Sequence, residues 1–140
     1  MLLCKEQIKE ILPHRSPLLL VDEAELEENE ASANFFVSPE MDIFKGHFPE
    51  CPVLPGIYLT ESMAQTADIL ILSMEGNRGK LPFFSSVNKM RFIRPVYPGN
   101  TIILKASVTA DSGNGMYECS VSALVGGKKA AQGSLTIALK

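Results

Sequence analysis

His47 is one of only two histidines in the chain and lies in Phe44-Lys45-Gly46-His47-Phe48-Pro49, between aromatics and beside a stiffening proline. An imidazole held in such a loop is available as a base; the plainer alternative is a core histidine satisfied by a backbone carbonyl. Glu61 stands in an otherwise apolar stretch, 57–74, that reads as a buried helix. A carboxyl there must either reach solvent or hold its proton more tightly, and a tightly held proton suits a general acid. Glu61, Gln65 and Asp68 fall at i, i+4 and i+7, which makes one polar stripe on which Gln65 can orient the Glu61 carboxyl. Pro55-Gly56 opens the same helix, where the first amides have no internal partner and can polarise a carbonyl placed against them. His47, Gly56 and Glu61 together supply a base, an oxyanion donor and an acid. That set serves proton abstraction beside a carbonyl with loss of a β-hydroxyl, and it calls for neither a metal nor a redox cofactor.

The elements that must position these residues follow from the pattern. Residues 5–12 alternate charge and aliphatic at helical spacing and stop at Pro13, which predicts a short helix. Residues 18–26 and 31–37 read as two strands joined by Glu27-Glu28-Asn29. Between Ser38 and Gly56 lie Pro39, Pro49, Pro52 and Pro55, which suits an ordered, stiff loop. After the 57–74 helix come strands over 83–92, 101–110, 116–125 and 130–139, separated by glycine-rich turns. An α+β fold follows, in which a curled antiparallel sheet of about six strands wraps around one long central helix.

With 140 residues and 46% hydrophobic content, the chain reads as a single domain, 1–140, with a real core. Its formal net charge of −3 argues against nucleic acid as a partner. Cys4, Cys51 and Cys119 form no close pair, which argues against a disulfide framework or a zinc site and favours a reducing, cytoplasmic setting. The N-terminus is charged too early for a signal peptide, and Glu61, Gln65 and Asp68 interrupt the apolar stretch too often for membrane insertion.

Several motifs resemble the 3-hydroxyacyl-acyl-carrier-protein dehydratases of the type with a catalytic glutamate. They are Leu12-Pro13-His14-Arg15-Ser16-Pro17 with Leu18-Leu19-Leu20-Val21-Asp22, then Gly46-His47-Phe48-Pro49 and Pro52-Val53-Leu54-Pro55-Gly56. Glu61-Ser62-Met63-Ala64-Gln65 and Arg91-Phe92-Ile93-Arg94-Pro95-Val96-Tyr97-Pro98-Gly99-Asn100 complete the series, in family order. The resemblance implies a hot-dog fold and a homodimer, with a trimer of dimers as a further assembly. It implies sites in which His47 of one chain meets Glu61 of the other, while the Gly56 amide binds the thioester carbonyl. It also implies an acyl-carrier protein bearing a 3-hydroxyacyl phosphopantetheine thioester as partner. The related dehydratase/isomerase branch carries aspartate in place of Glu61, so dehydration without isomerisation is expected. The chain departs from the family at Glu50-Cys51, where Gly-Arg is usual, and at Ser85-Ser86, where glycine is common. The resemblance also implies that Phe83 stands at an aromatic gating position of the acyl tunnel.

An acidic carrier needs a local basic patch on this acidic chain, and Lys45, Lys89, Arg91 and Arg94 are the candidates. The plain reading of these is solvated charge or internal pairing. For His14 and Arg15 a structural task, pinning the first strand, is expected ahead of chemistry. Four other functions compete: a hot-dog thioesterase, a dehydratase of a specialised polyene or polyketide pathway, a non-enzymatic acyl-binding protein, and a Cys51 nucleophile paired with His47.

Overall fold

The structure, a computed structural model, describes residues 1–140. The order is β1 (Leu2–Leu3), α1 (Lys5–Ile11), β2 (Glu23–Leu26), β3 (Glu30–Phe36), a 3-10 turn (Asp42–Lys45), α2 (Gly56–Leu72), β4 (Pro82–Phe92), β5 (Thr101–Asp111), β6 (Met116–Val125) and β7 (Lys128–Leu139). The strands form one antiparallel sheet of seven in the order β1-β2-β3-β5-β6-β7-β4. The count exceeds the expected six through the two-residue β1, too short to show a pattern, which pairs with β2.

Alternation places the small and aliphatic residues on one face. Ala31, Ala33 and Phe35 of β3, Ile102, Leu104 and Ala106 of β5, Cys119, Val121 and Ala123 of β6, and Leu135 and Ile137 of β7 are all buried. This face curls over α2, whose Met63, Ala67, Ile69, Ile71 and Leu72 are fully buried. Each such large side chain contributes roughly 1.5–3 kcal/mol. On the side away from the sheet, Leu19, Leu20 and Val21 and the α1 residues Ile8 and Ile11 complete the core.

The expected strand over 18–26 is only half correct, since regular pairing begins at Glu23. The reason lies in α2. Leu20 donates its amide to Gln65 Oε1 at 2.8 Å, its carbonyl accepts from Ser62 Oγ at 2.7 Å, and the Leu18 carbonyl accepts from Gln65 Nε2 at 2.6 Å. Main-chain groups that side chains of the helix have already satisfied leave nothing for a neighbouring strand. No helix is long and apolar enough to cross a membrane.

Candidate active site

His47 follows the 3-10 turn and is fixed from both sides. Its amide donates to the Ile43 carbonyl at 3.0 Å, and its own carbonyl accepts from the Val53 amide at 3.0 Å. The ring Nδ1 stands 3.0 Å from the Val53 carbonyl. A carbonyl can only accept, so Nδ1 carries the hydrogen, and the neutral ring then presents a bare lone pair on Nε2. The Phe48 ring stacks on the imidazole with centroids 4.1 Å apart. The carbonyl contact of the plainer reading is therefore present, and it leaves the second nitrogen free for a base.

Glu61 lies in the second turn of α2, with its side chain 27% exposed. Its Oε2 accepts from Gln65 Nε2 at 2.9 Å, the orientation expected from the i, i+4 spacing. The same oxygen lies 3.4 Å from His14 Nε2. The polar stripe does not face water, because Gln65 is 0% and Asp68 3% exposed. Asp68 makes no hydrogen bond, and its Oδ1 is buried without a partner. Burial, and secondarily the charge of Glu61, push the Asp68 carboxyl well above the usual carboxylate range. Burial and then Asp68 push the Cys119 thiol up to about 12. Within one chain His47 and Glu61 make no hydrogen bond or ion pair with each other; their partners are Val53 for His47, and Gln65 and His14 for Glu61.

Gly56 is the first residue of α2, after Pro55. Tyr58 and Leu59 donate to the Pro55 carbonyl, at 3.0 and 3.2 Å, while the Gly56 and Ile57 amides precede the first turn's acceptors. A Cβ on Gly56 would lie 3.0 Å from Phe92 Cε1, so the Phe92 ring closes over this helix start. Leu54, Gly56, Leu59, Phe92, Ile93 and Val96 line a groove of about 350 Å³ there.

Among the other expected residues, Phe83 lies on the edge strand β4 and is 48% exposed, beside the exposed Phe84 and Val87. Lys45 pairs with Asp42 at 3.1 Å, both fully in solvent. Lys89 and Arg91 share a groove with Lys129, Ser120, Ser122, Gln132 and Ser134, into which no carboxylate projects. A bulge between Asn88 and Arg91 places Lys89 at φ 52, and Met90 packs against Gly133 so closely that a Cβ there would lie 2.9 Å from it. Arg94 donates to the Lys129 carbonyl at 2.9 Å, the internal tie of the plain reading. Arg15 has a structural task, but not the expected one of pinning the first strand: it ties α1 to the segment that follows, donating to the Lys9, Leu12 and His14 carbonyls at 2.9, 2.9 and 2.6 Å. His14 instead reaches Glu61. Cys51 is exposed and adjoins Pro52. Sequence reasoning missed Phe92 over Gly56 and Lys129 beside Arg91; the first lies inside a matched motif, whereas Lys129 carries no signal before the β4–β7 pairing is known.

The dehydratase family described as ApeI-like matches residues 23–134. The chain is 43% identical over 135 residues to the 3-hydroxyacyl-[acyl-carrier-protein] dehydratase FabZ of Streptococcus agalactiae, covering 96% of each chain. It is 44% identical over 133 residues to the enzyme of the same name from Streptococcus sanguinis, covering 94% of each. Its fold is similar to a chain of the dehydratase heterocomplex ApeI:P from Xenorhabdus doucetiae, with TM-score 0.76 at 16% identity over 95% of this chain and 90% of that one. The PaaI protein of the E. coli phenylacetic acid degradation operon shares the fold with TM-score 0.65 at 18% identity, over 81% of this chain and 79% of the other. These relationships, running through nearly the whole chain and over a sheet curled on one helix, make the protein a member of the hot-dog 3-hydroxyacyl-[acyl-carrier-protein] dehydratase family.

Proposed function

We propose that the protein dehydrates 3-hydroxyacyl thioesters held on an acyl-carrier protein to trans-2-enoyl thioesters, in fatty-acid or related acyl-chain biosynthesis. The observation that carries this reading is the His47 ring, whose Nδ1 is tied to the Val53 carbonyl so that Nε2 is left as a base. Nε2 takes the proton from the carbon beside the thioester carbonyl. The electron pair of that C–H bond forms the enolate, whose oxygen the Gly56 amide stabilises at the start of α2. Collapse of the enolate makes the C=C bond and breaks the C–O bond, while Glu61 gives its proton to the departing hydroxyl. Water leaves, and transfer of the proton from His47 back to Glu61 resets the site.

Because the two groups share no hydrogen bond or ion pair within one chain, the reading places His47 of one subunit against Glu61 of a second, in a homodimer. The exposed Phe83, Phe84 and Val87 on edge strand β4 then border the acyl path where the second subunit covers it. An acidic carrier docks on Lys89 and Arg91, whose groove no carboxylate enters, with Arg94 and Lys45 at its margins. The test is hydration of enoyl thioesters, followed by loss of their ultraviolet absorbance. His47→Ala and Glu61→Ala should each lower turnover about 10²- to 10⁴-fold with the fold retained. Carrier-bound substrate should react more slowly as salt screens docking, while a short thioester mimic should not respond. Near-normal turnover in either variant removes that residue from the mechanism.

A further inference from the structure

The geometry points to His14 as a positioning residue that, with Gln65, holds Oε2 of Glu61 so that Oε1 is the oxygen which carries the proton to the substrate hydroxyl. This rests on Glu61 being the acid.

The Glu61 carboxyl is served on one side only. Gln65 Nε2 donates to Oε2 at 2.9 Å and His14 Nε2 stands 3.4 Å from the same atom, while no group of the chain bonds Oε1. Gln65 cannot turn over to serve both oxygens. Its Oε1 accepts the Leu20 amide at 2.8 Å, and its Nε2 also donates to the Leu18 carbonyl at 2.6 Å, so each polar atom is committed in one sense. Reversal would set oxygen against the Leu18 carbonyl and nitrogen against the Leu20 amide.

The backbone of His14 is anchored as well. Arg15 ties the His14 carbonyl to those of Leu12 and Lys9, which anchors this segment to the end of α1. The ring is 20% exposed, and its Nδ1 is buried with no partner. A ring that donates from Nε2 toward Glu61 leaves Nδ1 as a bare acceptor, whereas a hydrogen on Nδ1 would be a buried orphan donor, the rarer arrangement. His14 therefore presents Nε2–H to Oε2. With Gln65 bonded to Oε2 and the Nε2–H of His14 facing it from 3.4 Å, Oε1 is the better seat for the proton of the acid, and fixing which oxygen reacts is a positional effect, felt in turnover rather than in binding.

The experiment is steady-state kinetics of His14→Ala and His14→Gln on a 3-hydroxyacyl thioester, each also combined with Glu61→Gln. His14→Ala should lower kcat about tenfold with KM unchanged, and His14→Gln, whose amide keeps a donor near the Nε2 position, should recover most of it. In the Glu61→Gln background His14→Ala should cost nothing further, because the group it positions is gone. Should His14→Ala fail to fold, His14→Phe keeps the ring volume without the donor and takes its place. Unchanged kcat in the donor-less variant, or equal losses in the Ala and Gln variants, overturns the assignment. If Glu61→Gln alone leaves kcat intact, it is the reading of Glu61 as the acid that fails.

Discussion

At Gly56 a single carbon decides access to the helix start. An added Cβ would lie 3.0 and 3.1 Å from Phe92 Cε1 and Cζ, closer than an aromatic ring tolerates without moving. The contact is with a half-exposed side chain rather than with backbone, so a shift of a few tenths of an ångström accommodates the methyl group and Gly56→Ala should fold normally. In the proposed mechanism its effect belongs to chemistry. The methyl group and the displaced ring both narrow the approach of a thioester carbonyl to the Gly56 amide, and loss of an oxyanion donor typically costs about 10²- to 10³-fold in kcat. Turnover of Gly56→Ala should therefore fall with stability unchanged, and adding Phe92→Ala should return part of it by clearing the ring. An alanine variant as active as the parent would show that no substrate atom approaches this amide.

In α2 one helix carries the proposed acid, the amide bonded to it and a second carboxyl that has no partner. The carboxyl of Asp68 keeps its proton to well above the usual range because of burial, with the Glu61 charge as the lesser cause. Below the unfolded value, about 3.9, both folded and unfolded states are protonated and Asp68 has no pH-dependent effect. Above it the unfolded chain releases the proton and the folded chain does not, so stability falls as pH rises until the folded carboxyl itself ionises. Asp68→Asn removes this slope. Its advantage over the parent in urea unfolding should widen steadily from pH 5 upward, and parallel curves would sink the argument. The helix, its polar stripe and the Gln65–Glu61 contact were legible because i, i+4, i+7 spacing fixes a shared face wherever the helix goes. The true start of β2 at Glu23 was not, since a run such as Leu18-Leu19-Leu20-Val21 looks the same whether it bonds a strand or the side chains of Ser62 and Gln65. His14 was legible as part of a motif but not as a neighbour of Glu61, because the loop that brings it there is fixed by the three carbonyls that Arg15 gathers.

Across the whole molecule, apolar surface is left uncovered along edge strand β4 and at the start of α2. Edge strand β4 shows Phe83, Phe84, Val87 and Phe92 to solvent, and Ile57 at the start of α2 is 76% exposed. A sheet edge with aromatic side chains beside it is a pairing surface, and natural proteins seldom leave one bare. His47 stands on the loop leading into α2 and Glu61 one turn inside it, with no hydrogen bond or ion pair between them in one chain, and the proposed mechanism draws the two from different copies. A two-fold dimer with self-complementary contacts gives two such sites, each taking His47 from one subunit and Glu61 from the other. Inactive His47→Ala and inactive Glu61→Ala chains, once mixed and exchanged, then form heterodimers in which one site has lost both groups and the other has lost neither. Statistical exchange makes half of the dimers mixed, each with one intact site, so about a quarter of parental activity should return. Exchange is followed independently with a size-tagged copy by native mass spectrometry. Proven exchange without any return of activity would place His47 and Glu61 in one chain's site and remove the second subunit from the mechanism.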